Sequence, residues 1–515
     1  MHNKIATNPD NIDLPTLEEL FKLAISACNE NNPEQDRILD TAIAAYSKAI
    51  EIDESNFQLF NNLGVLKIYT EEYYEALEAF NAALRLNFRS PDIFDNRGKV
   101  KSILGNTLGA LSDYNDALLL NRDYAKALFN RAELRKGMGS YVTAMADYDK
   151  GISIDGGNFT AWFNRGKLKE ELGNLNGALA DYDVAISINP SFTNALATRG
   201  MLRSMMGDYE GAFGDLSKTV ELNPRLAQAH NGCGVVKYKQ RDYAGAKIHF
   251  DNALKLNPDL AEVYYNRALT LKEQGNHFLA IIDLNSAIRH DPKHSNAFFT
   301  LGLIKFEAGA FVGAMADFDE AIKFNPQFHR AYFERALAKI AYADGLSKTK
   351  KTSSDGASSS YRSYEDPNML ALITSALSDL NDAIRLNPKY SEAYYKRGIL
   401  SKELFQQYTY AFADLKRAKE LGYSSPTLDE EMQSCSISLS KCDRLSDAFR
   451  YPCMSARTSR HSASMLATCS VPHSTSSPSP EHHSSIPYPI RSYETDVKHE
   501  RDSSGSEEME LSRTA

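Results

Sequence analysis

The chain has 515 residues, 43% of them hydrophobic and 24% charged, with a formal net charge of −9. That composition fits a water-soluble protein, and the acidic excess argues against a nucleic-acid binder, which shows a basic face. No run of about 18 apolar residues occurs, so no membrane span is expected.

Residues 1–13 are polar and read as a flexible N-terminus rather than a secretion signal. The six cysteines form no Cys-x-x-Cys pair and read as reduced thiols, which places the expected location in the cytoplasm. Residues 14–56 read as a divergent first repeat, opening on the helical stretch "PTLEELFKLAISACN". From 57 to 344 one pattern returns every 34 residues. Its alanine falls at Ala42, Ala76, Ala110, Ala144, Ala178, Ala212, Ala246, Ala280 and Ala314. A small residue recurs at Gly64, Gly98, Ala132, Gly166, Gly200, Gly234, Ala268, Gly302 and Ala336. A large apolar one stands four residues before it, as in Trp162, Phe94, Leu128 and Tyr264.

The spacing predicts two helices per unit. Trp162 and Gly166 share one face of the first, and Ala178, Tyr182 and Ala185 form a stripe on the second. Gly173 sits between them where a left-handed C-cap is needed, and Pro190 closes the second helix. The small residues let the helices approach and the large ones fill the remaining space. Such a hairpin cannot bury its own apolar face, so neighbours must stack.

The register breaks after residue 344. A Ser/Lys-rich insert is expected over 345–370, inside the turn of one hairpin, where a long loop costs little. The array resumes over 371–423, with the alanine at Ala376 and then Ala411. Residues 424–450 read as a polar capping helix. The Ser/Pro/His-rich stretch 451–515 is expected to be disordered and to offer phosphorylation sites at Ser477, Ser479, Ser504 and Ser506.

No P-loop, HExxH, GxSxG or dinucleotide fingerprint is present, and the tail histidines lack metal-ligand spacing. A non-enzyme with no cofactor and no metal is expected. One covariation stands out instead. Arg97, Arg131, Arg165, Arg199, Arg267, Arg335 and Arg397 each occur in a unit that also carries Asp113, Asp147, Asp181, Asp215, Asp283, Asp379 or Asp414, respectively. Units with Leu63 and Cys233 in place of the arginine have Ala79 and His249 in place of the aspartate; Leu301 with Asp317 is the exception. The joint loss predicts a structural ion pair from first to second helix.

The Trp-x-x-x-Gly, Ala-x-x-x-Tyr and closing-proline motifs resemble the tetratricopeptide repeat over roughly residues 40–423. The resemblance implies an all-α chain, an α-solenoid of about 10–11 helix-turn-helix repeats wound as a right-handed superhelix, with first helices lining a concave groove. It implies a protein-interaction scaffold that binds peptide segments. Cilium or transport assembly, and recruitment of substrates to a separate enzyme, stay open as alternatives. Asn62, Asn96, Asn130, Asn164 and Asn266 match an asparagine series that holds peptide backbone in the array of O-GlcNAc transferase. The carboxylate clamp of chaperone-associated repeats needs Lys at the Phe163 position and Asn at the Lys167 position. No unit has either, so chaperone C-terminal tails are not expected partners. Those two positions become apolar late in the chain: Tyr265 with Leu269, Phe299 with Leu303, Phe333 with Leu337, and Tyr395 with Ile399. They are expected to form an exposed patch for an apolar or amphipathic segment.

Overall fold

A computed structural model describes residues 14–29, 32–351 and 367–449, and every regular element among them is an α-helix. They fall into two compact units that divide between Asp242 and Tyr243. The first unit contains Leu14–Asn29 (α1), Gln35–Ile52 (α2), Phe57–Tyr69 (α3), Tyr73–Leu86 (α4), Pro91–Ile103 (α5), Thr107–Leu120 (α6), Ala125–Gly137 (α7), Tyr141–Ile154 (α8), Phe159–Glu171 (α9), Leu175–Ile188 (α10), Thr193–Met205 (α11), Tyr209–Leu222 (α12) and Ala227–Lys239 (α13). The second contains Tyr243–Leu256 (α14), Ala261–Glu273 (α15), His277–His290 (α16), Ser295–Glu307 (α17), Phe311–Phe324 (α18), His329–Lys351 (α19), Pro367–Leu386 (α20), Ser391–Phe405 (α21), Tyr408–Glu420 (α22) and Leu428–Phe449 (α23).

Within the units, helices pair as hairpins from α1–α2 to α11–α12 and from α15–α16 to α21–α22, and each hairpin packs on the next. The turn of α9–α10 shows why the chain reverses there. Gly173 takes φ +79°, its N–H donates to the Glu170 carbonyl at 2.9 Å, and the Asn174 N–H donates to the Lys169 carbonyl at 2.8 Å. This is the left-handed C-cap expected from the repeating glycine. Asn174 then opens the next helix, its side-chain oxygen accepting the Gly177 N–H at 3.0 Å. Three turns reach a left-handed φ without glycine, at Glu71, Arg241 and Gln406.

Where the small residue is glycine, the hairpin closes on one tight contact. A Cβ built at Gly166 would lie 2.6 Å from Cε1 of Tyr182, so only glycine lets α9 sit on that ring. Ala178, Tyr182 and Ala185 are fully buried beneath it. Between hairpins the chain turns on an Asn or Asp whose side chain accepts the N–H two residues on. Asn189 does so with Ser191 at 3.1 Å, and Asp53, Asn87, Asn121, Asp155, Asn223, Asn257, Asp291, Asn325 and Asn387 repeat the bond.

The insert expected over 345–370 falls mostly on residues 352–366, outside the described residues. Helix α19 continues to Lys351 and α20 already begins at Pro367, so both ends of the expected loop are helical. Helix α23 lies over the last hairpin, burying Leu428 and Cys435 against Ala411 and Leu415. The expected flexible N-terminus and the expected disordered tail fall on residues 1–13 and 451–515, outside the described residues. No helix among the described residues is long and apolar enough to cross a membrane.

Candidate binding surface

The arginines come first because they set the geometry of the first helices. Arg165 donates through Nε to Asp181 at 2.9 Å and through a terminal nitrogen to its other oxygen at 2.7 Å, a bidentate fork. Asp181 is buried, and the hydrogen bonds it accepts hold the Arg165 guanidinium above its ordinary pKa. The same fork joins Arg97 to Asp113, Arg131 to Asp147, Arg199 to Asp215, Arg267 to Asp283, Arg335 to Asp379 and Arg397 to Asp414, at 2.5–3.0 Å.

Two further partners were not read from the sequence. The remaining guanidinium nitrogen reaches back 16 residues to the second helix of the preceding hairpin. It meets Asn81, Asn115, Asp149, Asp183, Asp251, Asp319 or Asn381. An unbroken Asn/Asp series at that spacing is the signal that was available. A second cation one turn further along the first helix also reaches the buried aspartate: Lys101, Arg135, Lys169, Arg203 and Lys339 in the paired units. This cation explains the exception. Where Leu301 replaces the arginine, Lys305 holds Asp317 at 2.7 Å, so the aspartate stays.

The asparagine series is largely occupied by the fold. Asn96 donates to the Asn61 side chain at 3.1 Å, Asn61 to Asn62 at 3.3 Å, and Asn62 to the Tyr46 hydroxyl at 3.3 Å. Asn130 donates to both oxygens of Asp95, at 2.9 and 3.1 Å. Asn96 and Asn266 are buried. Asn96 and Asn130 each bond the side chain at the Phe163 position of the preceding repeat, which is polar there. Asn164 follows Phe129, which offers no acceptor, and its side chain is half-buried without a hydrogen bond among the described residues. Asp95 itself is buried, and burial pushes its carboxyl up to about 6 against the opposing pull of Asn130, Lys99 and Lys126.

The expectation of an exposed aromatic patch is corrected. Tyr265, Phe299 and Phe333 are only 7%, 6% and 7% exposed. Each ring packs on the residue that precedes the next repeat's first helix. Tyr265 meets His294 at 4.8 Å between centroids, Phe299 meets Phe328 at 4.6 Å, Phe333 meets Tyr390 at 4.9 Å, and the half-buried Tyr395 meets Tyr423 at 4.5 Å. Phe163 meets Phe192 in the same way, at 5.1 Å. The rings therefore join repeats. Their aliphatic companions Leu269, Leu303, Leu337 and Ile399 are half-buried in matching positions on α15, α17, α19 and α21.

Residues 159–192 and 249–282 each match a family model of the tetratricopeptide repeat. The chain therefore contains tetratricopeptide repeats, a module that generally serves protein interaction. No curated protein matches the sequence. Among solved structures, YrrB, a tetratricopeptide repeat protein with an unusual peptide-binding site, is 22% identical over 36% of this chain and 95% of its own, with a TM-score of 0.32. A tetratricopeptide repeat protein from Parabacteroides merdae is 24% identical over 50% of this chain and 98% of its own, with a TM-score of 0.36. Yeast Tom70 is 14% identical over 84% of this chain and 97% of its own, with a TM-score of 0.41.

Proposed function

We propose that the chain is a protein-interaction scaffold, without chemistry of its own, that binds peptide segments of its partners along the first helices. The observation that carries this reading is the row Leu269, Leu303, Leu337 and Ile399. These residues recur on four successive first helices and are neither sealed in the core nor polar. Their aromatic companions are consumed in joining the repeats, whereas the aliphatic side chains keep part of their surface available. In the first unit, Asn164 offers an amide with both donor and acceptor unused by the fold, which suits the backbone of an extended segment.

The test is Leu303→Ser with Leu337→Ser. Polar replacement of two half-buried leucines costs about 1–2 kcal/mol each, which a stack of this size absorbs. The expected result is an unchanged circular dichroism spectrum and a reduced partner set in proximity labelling read by mass spectrometry. A folded variant with the same partner set overturns the reading.

A further inference from the structure

The first-helix face of the second unit carries more than an aliphatic row. Glu262, at the start of α15, has one carboxylate oxygen buried with no hydrogen-bond donor, although the side chain as a whole is 23% exposed. Its other oxygen lies 3.4 Å from Nε2 of His294, too far for a good hydrogen bond. The second nitrogen of His294 accepts the Ala297 N–H at 3.2 Å, so that ring is used as an N-cap, which requires the nitrogen to be unprotonated. Glu262 therefore has no cation bound to it among the described residues. Two repeats further along, Glu334 is half-buried on α19 and makes neither a hydrogen bond nor an ion pair among the described residues.

Cations stand nearby but are engaged elsewhere. Lys272 is bound to Glu307 at 3.2 Å, and the Arg330 guanidinium lies over the Phe299 ring at 5.3 Å. Burial raises the pKa of Glu334 despite Arg330 and Lys272, a carboxylate short of countercharge. Two carboxylates short of countercharge thus stand on α15 and α19, the helices that carry Leu269 and Leu337. A half-buried carboxylate without a donor is costly in the free protein, and that cost is relieved when a ligand brings the missing positive charge.

We infer that this face of the second unit takes a basic amphipathic segment of a partner protein, its aliphatic side chains on Leu269, Leu303 and Leu337 and its lysines or arginines on Glu262 and Glu334. The inference rests on the peptide-binding reading above and adds the sign of the ligand's charge. An acidic segment is rejected by the same two carboxylates.

The test uses the full chain and three fluorescein-labelled peptides, read by fluorescence anisotropy. One is a 14-residue amphipathic leucine–lysine peptide, the second has every lysine replaced by glutamate, and the third has every leucine replaced by serine. The expected result is tenfold or greater preference for the first over both others. Glu262→Gln with Glu334→Gln should reduce that preference to threefold or less while leaving the circular dichroism spectrum unchanged. The exposed pair Asp259→Asn with Glu273→Gln in the same unit should leave it intact, which separates this site from general attraction to an acidic protein. Equal binding of the lysine and glutamate peptides overturns the charge assignment and leaves the peptide-binding reading standing. Binding of none of the three overturns both. A preference that survives the double glutamine variant, or that falls equally in the exposed pair, also overturns the assignment.

Discussion

Arg165 shows how much one side chain holds. Its fork closes its own hairpin on Asp181, its third nitrogen reaches Asp149 in the hairpin before, and its plane lies over the Trp162 ring at 4.6 Å. Removing it strands a buried carboxylate that Lys169 only partly offsets. Arg165→Ala is expected to cost about 3–5 kcal/mol in chemical denaturation. The sequence already contains the compensated alternative in Leu63 with Ala79, so Arg165→Leu with Asp181→Ala should recover more than half of that loss. Asp95 is a liability of the opposite kind. Its carboxyl titrates near 6 in the fold, above its unfolded range, because burial disfavours the ion. Its favourable contribution is complete below the unfolded carboxylate range and is lost as pH rises through about 6. Asp95→Asn keeps an oxygen for the Asn130 amide and removes the ionisation penalty. It should stabilise the first unit by roughly 1–3 kcal/mol at neutral pH and by little at about pH 4, read from urea midpoints at the two pH values.

At the scale of the element, the hairpin was legible because three independent signals agree on one period: the small-residue contact at Gly166 and Ala178, the turn glycine, and the closing proline. What was not legible lies between repeats. The guanidinium's reach to Asp149 and the ring contact of Phe299 with Phe328 each join positions in different repeats, and a reading that compares like positions within a repeat does not pair them. The same blind spot made Phe299 and Phe333 look like a binding patch, since a large apolar residue on a first helix carries no mark of what lies on the other side. Phe299→Ser with Phe333→Ser should therefore lower the stability of the second unit by several kcal/mol, read from its urea midpoint, cavity and polar burial acting together, and should change its near-ultraviolet circular dichroism. The turns make a finer prediction. Glu71 is held at φ 61° where most other turns use glycine. Glu71→Gly should stabilise the first unit by roughly 0.5–1 kcal/mol, relief of left-handed strain outweighing the entropy glycine loses.

Across the molecule, stability in such a stack is a sum of hairpins and their nearest-neighbour contacts, and an end needs a cover. Helix α23 supplies one by seating Leu428 and Cys435 on Ala411 and Leu415. Ending the chain at residue 423 should expose that apolar surface, seen as increased dye binding and a lower melting midpoint, while the arginine forks at Arg335 and Arg397 persist. Unchanged dye binding would show that the last hairpin closes itself.

The grip of Arg335 on Asp379 spans 44 residues, yet it has the same fork geometry as pairs 16 apart. Lys339 adds bonds to Ser375 and Asp379 at 2.7 Å. Helices α19 and α20 are thus fastened side to side by contacts that depend only weakly on the number of residues joining them. In engineering terms the interval between Lys351 and Pro367 is a port. A fluorescent protein or a protease site placed there should leave the second unit assembled, and a chain cut at that site should still elute as one particle.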